Sequence, residues 1–365
     1  MNVTTVNSTI ISCGLAFFPM VHPENISPDL RVVFSIRIAF NALTCPLIIV
    51  LNIMVMVAVK TKRQLRTKSN IALACLSTTD LAVGLLVQPF HIIHASFLLI
   101  GQRNIFCNLI KSTTTLTTKC LTASFTHLVL LSAERYVAVR HPFTHENQVT
   151  EVRIIIASTL SWVTVLLFPT EEPSKPKPDF MKTFIVFIAV PALLCFPAMI
   201  YFNCVVYKEV RRSEKQIAAN QISLEAKEKI LKNKKAFYTT VVVLLAAFLC
   251  YIPINIFLVI FASNTERESS DGGETAIFLL PLISVLNSLF NPLIYAVRIR
   301  HFRLAFIQLL TRKSIAQAEE VYRKIFGPRQ IRVTANVEQG NETLNNGHDT
   351  TVQTQPQVEL EETAL

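Results

Sequence analysis

The chain has 365 residues, 51% of them hydrophobic and only 16% charged, with a net charge of +10. Soluble globular chains carry about 25% charged residues, so this composition excludes an ordinary soluble protein. It also argues against a nucleic-acid reader, because the Lys and Arg residues cluster between apolar runs, as topology determinants do.

Residues 1–32 form the first predicted region, a polar extracellular arm. It holds three glycosylation sequons, at Asn2, Asn7 and Asn25; one arises easily by chance, but three so close favour an exposed outer segment. No basic start, apolar core and cleavage site of a signal peptide precede it, so the first spanning helix is expected to direct insertion.

Seven apolar segments follow, at roughly 33–59, 70–95, 105–138, 152–169, 180–207, 235–262 and 275–297. Basic residues follow the first segment (Lys60 to Lys68), bracket the third-to-fourth connection (Arg140, Arg153) and fill the fifth-to-sixth (Lys208 to Lys235). The opposite connections are short or acidic, such as Glu266 to Glu274. Excess Lys and Arg mark the cytoplasmic side, which puts the amino end outside and the carboxyl end inside. The expected fold is an all-α membrane protein, a seven-transmembrane helix bundle over 33–298 in the plasma membrane. Cys45, Cys75, Cys120, Cys195, Cys204 and Cys250 fall in apolar runs and are expected buried. Only Cys13 and Cys107 lie near the outer surface, and no disulfide framework or zinc spacing is visible.

Residues 299–328 read as amphipathic cytoplasmic helices. Arg300 to Phe306 separates basic from apolar residues, as a short helix lying on the inner leaflet does. Ser314 and Gln317 have capping-box spacing for a second helix, which Gly327-Pro328 ends. Residues 329–365 are too polar to fold alone. Their end, with Thr363 and Leu365, fits a ligand for a PDZ-domain protein. Thr350, Thr351 and Thr354 offer phosphorylation sites for a partner such as arrestin.

The third segment is the most polar, with Ser112 to Thr118, Lys119 and His127, and it closes on Glu134-Arg135-Tyr136. Polar groups at membrane depth are costly, so this helix should face protein, at the centre of the bundle. Asp80 is an acid inside the second apolar segment: either a structural acid bonded to Asn52 and Asn291, or part of a site for a hard cation. Arg135 is either a snorkelling arginine or a functional charge. Pro253 removes a mid-helix hydrogen bond and so supplies a kink. Lys119 and His127 read as interhelical contacts. A transporter is the alternative, but no internal repeat supports it. An enzyme is not expected, since Asp80, Lys119 and His127 lack metal or nucleophile spacing.

Asn52, Leu76 to Asp80, Glu134-Arg135-Tyr136, Trp162, Cys250-Tyr251-Ile252-Pro253 and Asn291-Pro292-Leu293-Ile294-Tyr295 occur in order on successive segments. Over about residues 33–310 the chain closely resembles the rhodopsin-like (class A) G-protein-coupled receptors. The resemblance implies an extracellular ligand, a heterotrimeric G protein and a lipid bilayer as partners. It implies no cofactor, but a sodium ion as allosteric ligand of Asp80, Ser124, Asn287, Ser288 and Asn291. It implies coupling and switch roles for Glu134, Arg135, Tyr136, Tyr251, Pro253, Asn291, Pro292 and Tyr295.

The chain departs from that family's pattern at several places. Tyr251 replaces a tryptophan, Ala247 a phenylalanine (with Phe248 one place off), and Asn233 an acid that pairs with Arg135 in many relatives. Cys107 sits about a turn further out than the family's disulfide cysteine. Thr117, eighteen positions before Arg135, stands where amine-binding members carry aspartate, and Val285 where opsins carry their lysine. The expected ligand is therefore not an amine, and light sensing is disfavoured. Gln88, His91, Thr113, Thr114, Thr117 and Asn255 remain as pocket candidates suited to a neutral, lipid-like or weakly polar ligand or a peptide. The threonines equally well bond their own backbone carbonyls.

Overall fold

The computed structural model describes residues 28–167, 190–219, 223–263 and 271–327, and these are helical apart from short connections. The first helix, α1, runs Pro28–Thr61, with Pro28 in its first turn, where a missing N–H costs nothing, and Asp29 complementing the helix dipole. Phe34, Asn41, Ile48, Asn52, Val55 and Val59 recur at helical spacing and are buried. Val32, Ile36, Leu43, Leu47, Val50 and Ile53 are exposed. A helix that buries asparagines and exposes its aliphatic residues is built for lipid outside and protein inside.

The second helix, α2, spans Lys68–Ala82 and is capped by Thr67, whose side chain accepts the Asn70 N–H. It continues through one π turn, Val83–Val87, into α3, Gln88–Leu99. Gly84 lies in that turn against α1: the Cys45 thiol donates to the Gly84 carbonyl at 3.2 Å. A Cβ at Gly84 would meet Ile49 Cγ1 at 2.9 Å and Ile48 Cγ2 at 3.1 Å. We expect Gly84→Val to destabilise the protein by about 1–3 kcal/mol through overpacking. Thermal unfolding of the purified protein checks this, and an unchanged midpoint would show that the seam yields.

The fourth helix, α4, is Arg103–Arg140, 38 residues long. It packs against α2, α3, α5 (Pro142–Gln148), α6 (Glu151–Leu167), α7 (Val190–Ala218) and α8 (Leu224–Ser263). This is the central position that its polarity demands. The ninth helix, α9, Asp271–Arg298, packs against α1, α2 and α8. Pro46, Pro197, Pro253, Pro281 and Pro292 all lie inside helices that continue through them.

Pro28–Thr61, Lys68–Leu99, Glu225–Phe257 and Phe278–Arg298 are each long and apolar enough to cross a membrane. Pro142–Gln148 with Glu151–Leu167, a pair bent by 85°, adds a fifth if counted as one span. The central helix has the length but not the apolarity, because it carries Ser112, Thr113, Thr114, Thr115, Thr117, Thr118, Lys119 and His127. The seven apolar segments of the sequence correspond to α1, α2 with α3, α4, α6, α7, α8 and α9, although the first ten residues of the fifth lie outside the described residues.

Burial does not extend to all six cysteines of the apolar runs. Cys75, Cys120 and Cys250 are buried and Cys45 and Cys195 half-buried, but Cys204 is exposed. It shares the outward face of α7 with Ile200, Tyr201 and Tyr207, where a small apolar side chain suits lipid as well as protein.

A further helix, α10, Arg300–Thr311, buries Phe302, Ala305 and Phe306. The chain from Ile307 onward forms a second unit, with a last helix, α11, at Ile315–Phe326. Its capping box is formed as the sequence suggests. Ser314 Oγ accepts the Gln317 N–H at 3.4 Å, Gln317 Oε1 accepts the Ser314 N–H at 3.2 Å, and Gly327 ends the helix at φ +79°.

Candidate functional site

Three groups of polar residues are buried along α4, from its carboxyl end to its amino end. At the carboxyl end, Arg135 forks onto its neighbour Glu134, with Nε at 2.6 Å and Nη2 at 2.9 Å. Glu134 also accepts from Ser69 Oγ at 3.2 Å on α2, and its Oε1 lies 2.9 Å from Nε2 of His145 on α5. Both members of the pair are buried, so these are charge-assisted bonds in a low-dielectric setting. Lys68 holds α5 in place by donating to the carbonyls of His145 and Glu146 at its carboxyl end. Among the described residues Asn233 makes no hydrogen bond to Arg135; the restraint on Arg135 comes from its own helix. Tyr136 packs on Phe202 and His141, at ring-centroid distances of 5.3 and 5.7 Å.

Mid-bundle, Asn291 Nδ2 donates to Asp80 Oδ2 at 2.8 Å. Asn52 does not reach Asp80; it donates to the Ile48 and Ser288 carbonyls, at 2.9 and 3.1 Å, and so ties α1 to α9. Asn287 donates to the Tyr251 hydroxyl at 3.0 Å. The tryptophan usual at position 251 carries an indole that only donates, so Tyr251 makes a bond the family's residue would not accept. Its ring packs 4.9 Å from Phe125, which meets Phe196 at 5.2 Å, and Phe196 in turn meets Phe248 at 5.0 Å. Phe248 thus supplies from the next position the ring that Ala247 lacks.

Among the described residues several oxygens of this group have no hydrogen-bond partner: Asp80 Oδ1, Ser124 Oγ, Asn287 Oδ1 and Asn291 Oδ1, with Tyr295 Oη nearer α10. Unsatisfied buried acceptors are expensive, and a carboxylate among neutral oxygens is the donor set a hard monovalent or divalent cation takes. These residues therefore fit a cation. Tyr295 is fully buried, with its ring 5.8 Å from Phe302.

Near the amino end of α4, the sequence candidates separate. Gln88 is fully buried and donates to Thr44 at 2.7 Å and Asn41 at 3.3 Å, closing the α1–α3 seam. Thr113, Thr114 and Thr117 bond the carbonyls of Leu109, Ile110 and Thr113. Thr117 Oγ1 also lies 3.4 Å from His91 Nε2, and Thr113 Oγ1 3.5 Å from His94 Nδ1. Asn255 bonds the Tyr251 carbonyl and stays apart from this group. Two residues that the sequence reading passed over stand at its centre. Arg37, 4% exposed, reaches His91 Nδ1 at 2.9 Å and donates to the Phe278 carbonyl at 2.7 Å. His94 packs on His91 with ring centroids 5.3 Å apart. A charged residue inside an apolar segment is itself the signal that marks Arg37.

Lys119 donates to the Leu166 carbonyl at 2.8 Å, His127 Nε2 meets Ser158 Oγ at 2.7 Å, and Trp162 donates to Thr78 at 3.1 Å. All three tie α6 to its neighbours. The sequons at Asn2, Asn7 and Asn25, Cys13, the Cys107 side chain, the tail threonines and the Thr363–Leu365 end lie outside the described residues.

Comparison with known proteins agrees with this arrangement. The family model "7 transmembrane receptor (rhodopsin family)" matches residues 51–174 and 168–295. The histamine H2 receptor of Rattus norvegicus is 29% identical over 320 residues, covering 83% of each chain. The adenosine receptor A3 of Ovis aries is 25% identical over 289 residues, covering 72% of this chain and 85% of the relative. The alpha-1D adrenergic receptor of Homo sapiens is 25% identical over 310 residues, covering 71% of this chain and 53% of the relative.

Proposed function

This chain belongs to the rhodopsin family of seven-transmembrane receptors, non-enzymatic multi-pass membrane proteins that couple an extracellular ligand to a heterotrimeric G protein; we propose that its own input is a non-amine ligand and that its switch is sodium-linked. The observation that carries the second part is the set of unpartnered oxygens around Asp80 on α2, α4 and α9. A cation there would be held by Asp80, Ser124, Asn287, Ser288 and Asn291, and it would favour the packing in which α2, α4 and α9 stay together. The non-amine reading rests on Thr117. Among the described residues no carboxylate bonds Thr117 there to balance an ammonium group, and its polar partners are His91 and a backbone carbonyl.

In this reading the ligand acts on the outer halves of α3, α4 and α9. Tyr251, bonded to Asn287, relays the change to α8, which bends about Pro253. Arg135 then leaves Glu134 for the G protein, while Ser69 and His145 keep the vacated carboxylate satisfied. Asn291, Pro292 and Tyr295 form the corresponding joint on α9. Arrestin and a PDZ-domain protein are further proposed partners of the tail, and Asn2, Asn7 and Asn25 its proposed glycosylation sites on the extracellular arm.

The test is ligand-stimulated GTP exchange by the purified receptor in nanodiscs, across G-protein classes, with sodium as a variable. Exchange stimulated by histamine or another primary amine, and lost on changing Thr117, would sink the non-amine reading; exchange indifferent to sodium would sink the switch. Asn233→Glu is a narrower test. Placing an acid opposite Arg135 should lower ligand-free exchange about fivefold, the factor that an ion pair of about 1 kcal/mol supplies. Unchanged basal exchange would mean that Glu134 alone sets the resting position of Arg135.

A further inference from the structure

We propose that Arg37 anchors a recognition site for the carboxylate headgroup of an amphiphilic ligand, with His91 and His94 beside it and phenylalanine rings receiving the apolar body. The proposal rests on the receptor reading above and names the ligand class that reading leaves open.

Arg37 is a permanent cation buried in the outer half of α1. Among the described residues no Asp or Glu forms a salt bridge with it. Its compensation is partial: one carbonyl (Phe278), one imidazole nitrogen (His91) and the rings of Phe34 and Phe278, each with its centroid 5.6 Å from the guanidinium carbon. Among the described residues Arg37 Nε has no hydrogen-bond partner. A buried guanidinium held only by neutral groups is costly, and a purely structural tie to a carbonyl would be made as well by glutamine, without the charge.

The geometry specifies what would complete it. With His91 turned away, Nε and Nη2 present the side-on fork that a planar carboxylate accepts with two bonds. His94 Nε2 is a second buried nitrogen in the same group that has no partner among the described residues. Phe34, Phe278 and Phe106 close over the cluster, with Phe34 4.7 Å from Phe278 and 6.1 Å from Phe106, so the walls are apolar. A charged head and an apolar chain match this pairing better than a neutral or cationic ligand does.

The site also has a route to the switch. The Arg37–Phe278 bond ties α1 to α9, which carries Asn287 and Asn291. A carboxylate on Nε and Nη2 displaces His91 and leaves Nη1 on the Phe278 carbonyl, so the headgroup is joined through Arg37 to the outer end of that same helix.

The experiment uses the full-length receptor in zwitterionic nanodiscs, with decanoate as probe and decanol and decylamine as matched controls. Saturating decanoate should raise the unfolding midpoint of the wild type by about 3 °C. Arg37→Lys should keep part of that rise and Arg37→Gln none, while decanol and decylamine leave the wild type unmoved. An equal rise in Arg37→Gln, or no rise with any carboxylate from butanoate to dodecanoate, overturns the proposal. Without ligand, Arg37→Gln should unfold at or above the wild-type temperature; a fall of several degrees would make Arg37 a structural bolt and also overturn it. Sodium-sensitive GTP exchange persisting without carboxylate binding removes this inference alone. Carboxylate stabilisation without any exchange would remove the coupling scheme and leave the binding site.

Discussion

Arg135→Ala receptor, reconstituted with a responsive G protein, should exchange nucleotide about ten- to a hundredfold more slowly than wild type, the factor for losing one charge-assisted contact of about 1.5–3 kcal/mol. Arg135 is buried against Glu134 at the cytoplasmic end of the central helix and takes no acid from α8. Its guanidinium is therefore the charge this end of the bundle can present once the fork opens. The substitution also leaves Glu134 with Ser69 and His145, so the fold should survive, and radioligand-free expression and thermal unfolding verify that. Exchange within twofold of wild type would show that the G protein reads another group.

Asp80→Asn should abolish the response to sodium. If the wild type binds the ion, raising sodium to ten times its dissociation constant stabilises the folded state by about 1.4 kcal/mol, by mass action. For a chain of this size that is a rise of roughly 2 °C in the unfolding midpoint. Asparagine preserves the shape but removes the only anionic oxygen in the group, so the shift should vanish while potassium, the control, moves neither protein. Ligand-free exchange follows the same sign: sodium suppresses it in the wild type and not in Asp80→Asn. An identical sodium shift in both proteins would place the ion elsewhere.

The sequence made the inner and middle groups legible because each rests on a residue type out of keeping with its apolar helix. Asp80, Asn52, Asn291 and Arg135 are such residues, and family motifs gave their order. Their partners were harder to foresee. Asn52 chooses the Ser288 carbonyl over Asp80, a matter of how α1 and α9 lean together. Ser69 and His145 reach Glu134 because α5 folds back against α4 and is tied to the start of α2 by Lys68, and no local periodicity encodes that. Phe248 substitutes for Ala247 because packing tolerates a ring from a neighbouring position. Arg37 was readable in principle as a lone charge in an apolar run, but its meaning appears only where α1, α3 and α9 converge. The threonines of α4 make the bonds that the sequence allowed as an equal alternative to pocket contacts, spending their hydroxyls mainly on their own helix.

The π turn at Val83–Val87 sits between Asp80 and the pair His91 and His94. A π turn takes up one residue more than an α turn does, so the residues beyond it hold their face only while the extra residue is accommodated there. Rewound as α-helix with the same residues, everything beyond would swing by about 100°, one residue's share of a turn, and carry His91 and His94 off the face that meets Arg37. Asp80 would keep its place. A receptor built this way can change what it senses by indexing one helix like a dial, without retuning what it does in response.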